Sequence, residues 1–215
     1  MKVAIQCVPS REFVVEKLLK NLPSDTKVYS DTEYRGSVWN MERIINDHPE
    51  GVLVVQDDLV MGEWFMEEVQ KSLIEGEVMS FFLAITPRLK KLYDEGYSYA
   101  KMREIWSQCS YLPPSFIQQY VKWSAGQPPI AKRGDKEAVA MGHRKFSADD
   151  TCLRMCLKAN NRWAYLTLPN LVNHQCEIPS ELGHQSTTKG IPRVSFLYGK
   201  KFLRTWNKEA IVKYD

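Results

Sequence analysis

Two adjacent carboxylates, Asp57 and Asp58, directly follow Gln56 and the apolar run 51–55. Such a run is typical of a buried parallel strand, which fixes the backbone at its end. Paired carboxylates placed there can hold a divalent cation, which in turn holds a diphosphate. Oxygen ligands favour Mg²⁺ or Mn²⁺, with Asp58 as the protein ligand. The alternative is an acidic turn that stabilises the start of the following helix.

Polar residues also follow the first two predicted strands. Pro9, Ser10 and Arg11 come after the first strand and can bind a phosphate or the edge of a nucleobase. Asp31 ends the second strand and can accept hydrogen bonds from a base or a ribose. Taken singly, each is more often an ordinary surface residue. Their placement at successive strand ends makes them candidates for a nucleotide site, together with Gln56, Asp57 and Asp58.

Four further residues are candidates for chemistry in the second half of the chain. Asp149 and Asp150 begin a predicted helix, where one of them can act as the general base for a hydroxyl group. The alternative is that both simply complement the helix dipole. His174 lies just past a predicted strand end, where a metal or phosphate ligand can stand. His184, in the same predicted loop, is a weaker candidate.

The elements that position these residues alternate in the first hundred residues. Apolar runs predict strands, and apolar residues at helical spacing predict the helices between them. The predicted strands span 3–8, 27–30, 51–55 and 78–85, and the helices follow Arg11 and span 38–47 and 64–74. This β-α alternation predicts a mostly parallel sheet with helices on both faces. The carboxyl ends of its strands then share one edge, where ligands bind.

The second half is less regular. The pattern indicates a strand over 103–109, a helix over 116–123, a mobile loop over 125–147, a helix over 149–159 and a strand over 163–168. The length of 215 residues favours one domain. Within it we distinguish a nucleotide-binding half (1–100), an acceptor and catalytic half (101–188) and a basic C-terminal tail (189–215).

Composition is that of an ordinary globular protein, with 44% hydrophobic and 26% charged residues. No run approaches the roughly 18 apolar residues of a membrane span. The five cysteines include no CxxC pair, and Cys152 and Cys156 have the spacing of core residues on one helix face. These features predict a cytoplasmic protein without a membrane span. The net charge of +3 allows an anionic partner without requiring one.

The order of the motifs VAIQCVPSRE, VYSD, SVWNMERII and GVLVVQDDLVMGEWF resembles nucleotide-sugar glycosyltransferases of the GT-A fold. In that family a strand-end acidic motif, commonly written DxD, binds the metal and the nucleotide diphosphate. This chain has QDD in that place. The later segments SADDTCLRMCL and TLPNLVNHQCEIPSELGH also resemble small members of the family. The resemblance covers about residues 1 to 185 and implies a UDP-sugar donor, with Mn²⁺ or Mg²⁺.

The same resemblance implies roles for the second half. It places Asp149 and Asp150 in the acceptor region, and His174, Ser180 and His184 in a segment that closes the site. Small bacteriophage enzymes of this type glycosylate hydroxymethylated pyrimidines of phage DNA, which implies modified DNA as one acceptor. Such a base has to be flipped out of the duplex to reach the sugar.

Two other functions stay open on the sequence. A nucleic-acid-binding protein without sugar transfer would use basic residues of the loop and the tail, which can contact phosphates: Lys132, Arg133, Arg144, Lys200, Lys201 and Arg204. The alternative for the tail is a packed segment with a solvated basic face. A nucleotidyltransferase is the third option, since paired acids with a metal also serve phosphoryl chemistry.

Overall fold

One eight-stranded sheet runs through the protein. The structure, a computed structural model, describes residues 1–83, 87–131, 136–143, 148–175 and 205–214, and the backbone of 187–188 and 191–192. Strands form mainly where apolar and β-branched residues cluster. They are β1 Lys2–Cys7, β2 Lys27–Ser30, β3 Val52–Gln56, β4 Leu59–Val60, β5 Val78–Ser80, β6 Tyr99–Met102, β7 Cys109–Leu112, β8 Ala164–Thr167, β9 Asn173–His174, β10 Thr187–Thr188, β11 Ile191–Pro192 and β12 Ile211–Lys213.

The order of the large sheet is β12-β6-β8-β5-β7-β3-β1-β2. Strands β2, β1, β3, β5 and β8 run in one direction. Strand β7 is antiparallel to both β3 and β5, β6 is antiparallel to β8, and β12 is parallel to β6. The sheet is therefore mixed and mostly parallel, and β7 lies between β3 and β5. The pairs β4-β9 and β10-β11 form two small antiparallel ladders.

Helices cover both faces of this sheet. They are α1 Glu12–Leu19, α2 Ser37–Asp47, α3 Phe65–Ser72, α4 Pro87–Asp94, α5 Pro114–Ala125, α6 Lys136–Ala140 and α7 Asp149–Ala159, with a 3-10 turn at Pro9–Arg11. One core contains Leu18 of α1 and Phe65 of α3 against β1 and β3. The other contains Ile44, Phe116 and Leu153 from α2, α5 and α7. The expected mostly parallel α/β sheet with helices on both faces is thus confirmed.

The sequence predictions differ from the structure mainly in the second half. The strand predicted over 103–109 is wrong, because the chain pairs at β6 and β7 on either side and lies outside the sheet between them. Part of the predicted loop over 125–147 is helical, since α6 forms at Lys136–Ala140. Helix α7 has the bounds that its pattern predicted, and Cys152 and Cys156 on it are buried free thiols.

The structure also bears on the expected absence of a membrane span and on the C-terminal tail. Within the described residues, none of the helices combines the length and the apolar character that a membrane crossing requires. Trp206, from the predicted basic tail, packs against Tyr99 and donates a hydrogen bond to Glu68. Because β12 follows and joins the edge of the sheet beside β6, this part of the tail is packed.

Candidate functional site

The candidate site lies where the strand order changes direction. From β1 the chain moves to β2 on one side and then returns across β1 to β3 on the other. Open sheets of this kind bind ligands outside the carboxyl ends of the strands at such a point. Gln6 and Gln56 form the last register pair of β1 and β3. The residues that follow them therefore face one crevice.

An arginine and two carboxylates occupy this crevice. Arg11 Nη1 lies 2.8 Å from Asp57 Oδ1 and 3.5 Å from Asp58 Oδ2. The other oxygen of Asp57 accepts a hydrogen bond from the Val8 backbone N–H at 3.0 Å. The 3-10 turn after β1 aims Arg11 at the end of β3, and both Arg11 and Asp57 are buried. The structure therefore gives the acid pair one cation of its own.

Burial and the neighbouring arginine act in opposite directions on the pKa of Asp57. Burial raises the pKa of Asp57 to about 6, and the Arg11 guanidinium beside it offsets part of that effect. Both of its oxygens already have donors from the chain. Asp57 thus fixes Arg11 and the turn after β1, and its carboxylate is not open to a ligand.

Asp58 faces a histidine that comes from a distant part of the chain. His174 Nε2 lies 3.2 Å from Asp58 Oδ2, although 116 residues separate the two. The small β4-β9 ladder, in which Leu59 pairs with His174, brings them together. A bond from the Gln175 N–H to the Asp58 carbonyl closes the contact at 2.7 Å. Asp58 Oδ1 is buried and has no hydrogen-bond partner within the described ranges.

A second group of polar side chains adjoins the first through Gln56. Gln56 Nε2 donates to Asp149 Oδ2 at 3.1 Å and to Ser107 Oγ at 3.2 Å. The Asp149 backbone N–H in turn donates to Ser37 Oγ at 3.3 Å. Helices α2 and α7 therefore both begin beside the end of β3. Asp149 thus contacts Gln56, the residue before Asp57, although the two are 93 positions apart in the chain.

The two acids at the start of α7 have different surroundings. Asp149 is 3% exposed, and its second oxygen accepts a hydrogen bond from the Asp150 N–H. Burial, together with the charge of Asp150, raises the pKa of Asp149 to about 6. Asp150 is half-buried, so a ligand can reach it more easily. A group that takes a proton from an acceptor has to touch that acceptor, which favours Asp150.

The remaining predicted site residues are placed less centrally. Asp31 is buried at the end of β2, where its two oxygens accept hydrogen bonds from the N–H groups of Arg35 and Gly36. It shapes the turn that leads into α2. Pro9 is half-buried and Ser10 is exposed in the turn beside Arg11. The following predicted residues lie outside the described residues: Lys132, Arg133, Arg144, Ser180, His184, Lys200, Lys201 and Arg204.

Sequence reasoning missed several polar side chains of the site. Gln6 donates to the Ser37 carbonyl at 2.9 Å, and its buried Oε1 has no partner among the residues that the structure describes. The signal that could have indicated Gln6 is a glutamine inside the otherwise apolar strand VAIQCV. Ser37 and Ser107 carried no comparable signal, because neither follows a predicted strand.

The carboxylates fit a divalent cation only in part. The described portion of the chain contains no group of three or more His, Cys, Asp or Glu side chains arranged to hold a metal ion. Both oxygens of Asp57 have donors in Arg11 and Val8, whereas the buried Asp58 Oδ1 has no hydrogen-bond partner among the described residues. Mg²⁺ in such sites is commonly held by one or two carboxylates together with substrate phosphates. Asp58 therefore fits a cation that arrives with a diphosphate.

Solved structures that resemble this chain include a distant one. The chain is similar to the structure entitled "Crystal Structure of A197 from STIV", with a TM-score of 0.47 and 12% sequence identity. The match covers 80% of this chain and 84% of that chain. No protein-family model matches the sequence, and no curated protein sequence matches it significantly.

Proposed function

We propose that this protein is a GT-A-like glycosyltransferase, which moves a sugar from a nucleoside-diphosphate sugar, UDP-linked, to an acceptor hydroxyl. The observation that carries the proposal is the acid pair Asp57–Asp58 with Arg11 in the crevice between β1 and β3. This is the place where open α/β sheets bind nucleotides. The unpartnered buried oxygen of Asp58 supports it, since such an oxygen costs free energy unless a donor or a cation meets it.

In this proposal Asp57 and Asp58 have different roles. Asp58 would hold Mn²⁺ or Mg²⁺ together with the diphosphate, and the bound cation would neutralise the charge of the leaving nucleoside diphosphate. Asp57 fixes Arg11 beside it through the bond at 2.8 Å. His174 holds Asp58 through Oδ2 and so orients Oδ1 toward the ligand. This assigns His174 a positioning role, as an alternative to direct ligation of the cation.

The acceptor side of the proposed site is formed by the start of α7. Asp150 is the general base that takes the proton from the acceptor hydroxyl as the sugar is transferred. Asp149 positions it through the hydrogen bond from the Asp150 N–H, and Gln56 anchors Asp149 to the end of β3. Donor and acceptor residues are thereby tied to the same strand end. Modified DNA is one acceptor that this arrangement serves.

Product analysis tests the proposal. The wild-type protein, Asp58→Asn and Asp150→Asn are incubated with a panel of nucleoside-diphosphate sugars and Mn²⁺, and phosphorus NMR identifies the released product. Water can stand in for the acceptor hydroxyl, so the nucleoside diphosphate should appear slowly with wild type. Asp58→Asn should lose this release, and the surface control Asp94→Asn should keep it.

The step that each variant loses, donor binding or sugar transfer, distinguishes the proposed roles of Asp58 and Asp150. Asp150→Asn should bind donor as wild type does and lose at least about a hundredfold in rate, the usual contribution of a general base. If the protein instead released pyrophosphate from nucleoside triphosphates, its activity would be nucleotidyl transfer and not sugar transfer. Equal donor turnover by wild type and a folded Asp58→Asn protein would refute the proposal.

A further inference from the structure

Three cationic side chains converge on one indole ring at the far side of the sheet. Arg103 Cζ lies 4.5 Å from the centroid of the Trp163 ring, Lys101 Nζ lies 5.3 Å from it and Lys213 Nζ lies 5.4 Å from it. We call these four residues the Trp163 cluster. Lys101 lies on β6 and Lys213 on β12, while Arg103 directly follows β6 and Trp163 directly precedes β8, so the cluster adjoins the sheet.

The cluster places like charges next to each other. Lys101 and Lys213 are register partners in the parallel pair of β6 and β12. Like charges directly opposite each other in a sheet destabilise it. At physiological salt they are also closer than the screening length of about 8 Å, since adjacent strands lie about 4.8 Å apart. The contacts with the Trp163 ring offset part of this repulsion.

No carboxylate of the described residues forms an ion pair with Lys101 or Arg103. Arg103 instead donates to the neutral side-chain oxygen of Asn161 at 2.6 Å. Nearby acids have other partners, because Glu104 faces Arg154 and Glu77 faces Arg162. A local arrangement that costs stability without an evident structural gain is expected at functional sites.

This cluster lies away from the crevice described above. Strand β8 runs in the direction of β1 and β3, whereas β6 and β12 run the opposite way. The start of β8 and the ends of β6 and β12 therefore meet at the edge opposite the carboxyl ends of β1 and β3. An anion bound there cannot be the diphosphate of the same donor.

We propose that the Trp163 cluster binds the phosphate backbone of a nucleic acid. The three cationic groups are spread around one indole, 4.5 to 5.4 Å from its centroid, so an extended polyanion can contact more of them than a single small anion can. A chain of phosphates can meet all three at once. Strands β6, β8 and β12 carry none of the exposed large apolar side chains of the described residues, so nothing here offers insertion into a membrane. Backbone contacts of this kind imply binding without sequence preference.

Fluorescence anisotropy with a labelled 30-base-pair DNA duplex tests this proposal. The triple variant Lys101→Gln, Arg103→Gln and Lys213→Gln should bind about tenfold or more weakly at 100 mM salt. The slope of log affinity against log salt should become shallower by about 2.7, the value for three lost phosphate contacts. A matched control removes three exposed lysines elsewhere. It is Lys17→Gln, Lys20→Gln and Lys122→Gln, and it should keep most of the wild-type affinity and slope.

Lys213→Gln alone keeps the proposal testable if the triple variant unfolds. It removes one of the two like charges in register, so the fold should tolerate it. The slope of log affinity against log salt should become shallower by about 0.9. Three results would overturn the proposal: no DNA binding by wild type at 50 mM salt, equal losses in the two triple variants, or binding to phosphatidylserine vesicles in place of DNA. Asp58→Asn should bind DNA as wild type does, which separates this result from the fate of the glycosyltransferase proposal.

Discussion

Replacing Asp149 by asparagine should make the protein more stable at neutral pH. The pKa of this buried carboxyl is raised from 3.8 to about 6, mainly by burial. Each pKa unit corresponds to 1.36 kcal/mol, so the charged form costs the folded state about 3 kcal/mol at pH 7. Asparagine keeps an acceptor oxygen for Gln56 or for the Asp150 N–H but not for both. The lost hydrogen bond should cancel about 1 kcal/mol of the stabilisation. The expected net stabilisation is about 2 kcal/mol.

The gain should depend on pH in a defined direction. Because the pKa of Asp149 in the folded state lies above its unfolded value, the folded state binds more protons between about pH 4 and pH 6. The free energy of unfolding of the wild type therefore falls as the pH rises through that window, and it stays lower above it. The Asn variant lacks this term. Its advantage should be present at pH 7.5 and absent below about pH 4.

Thermal unfolding followed by circular dichroism measures both effects. For a chain of this length, about 2 kcal/mol corresponds to a rise in Tm of about 4–8 °C at pH 7.5. Asp94→Asn, which alters an exposed pair with Lys90, serves as the control and should change Tm little at either pH. A variant that is less stable than wild type by the same amount at pH 4 and pH 7.5 would refute the reasoning. It would mean that the hydrogen bonds of Asp149 outweigh its burial.

Three other changes have expected magnitudes. Arg11→Ala should cost about 3–5 kcal/mol in urea unfolding at pH 7, because it leaves Asp57 buried without its cation, and adding Asp57→Asn should recover much of the loss. Gly51→Ala should destabilise more than Gly76→Ala in the same assay: both glycines have positive φ, but a Cβ at Gly51 would lie 3.0 Å from a neighbouring ring atom while Gly76 has open space. Leu153→Ala, fully buried in α7, should cost about 2–5 kcal/mol, and a loss below 1 kcal/mol would contradict the packing of that helix.

The sequence predicts elements well where one physical effect dominates. Strand β3 is apolar up to its last residue, Gln56, and each of its observed bounds differs from the predicted one by one residue. Helix α7 has regular apolar spacing and the predicted bounds. Strand β6, with the sequence YAKM, was not predicted because Lys101 interrupts its apolar pattern. That lysine packs over Trp163, a contact that depends on tertiary structure and leaves no local pattern.

The candidate site divides in the same way. The proximity of Arg11 to Asp57 and Asp58 follows from strand ends that share one edge of a parallel sheet, so spacing along the chain indicates it. The bond between Gln56 and Asp149 depends on how α7 packs against the sheet, which local pattern does not define. Likewise, the contact between Asp58 and His174 needs the two-residue β4-β9 ladder, which is too short to leave a signal.

Calorimetric titration with UDP in the presence and absence of Mn²⁺ tests the central proposal most directly. Wild type should bind UDP, with an affinity that rises in Mn²⁺, and Asp58→Asn should lose the rise because its neutral amide lacks the negative charge that holds a cation. Asp94→Asn should behave as wild type. Failure of the well-folded wild type to bind UDP or any other nucleoside diphosphate, with or without Mn²⁺, would contradict the assignment of a donor site at the ends of β1 and β3.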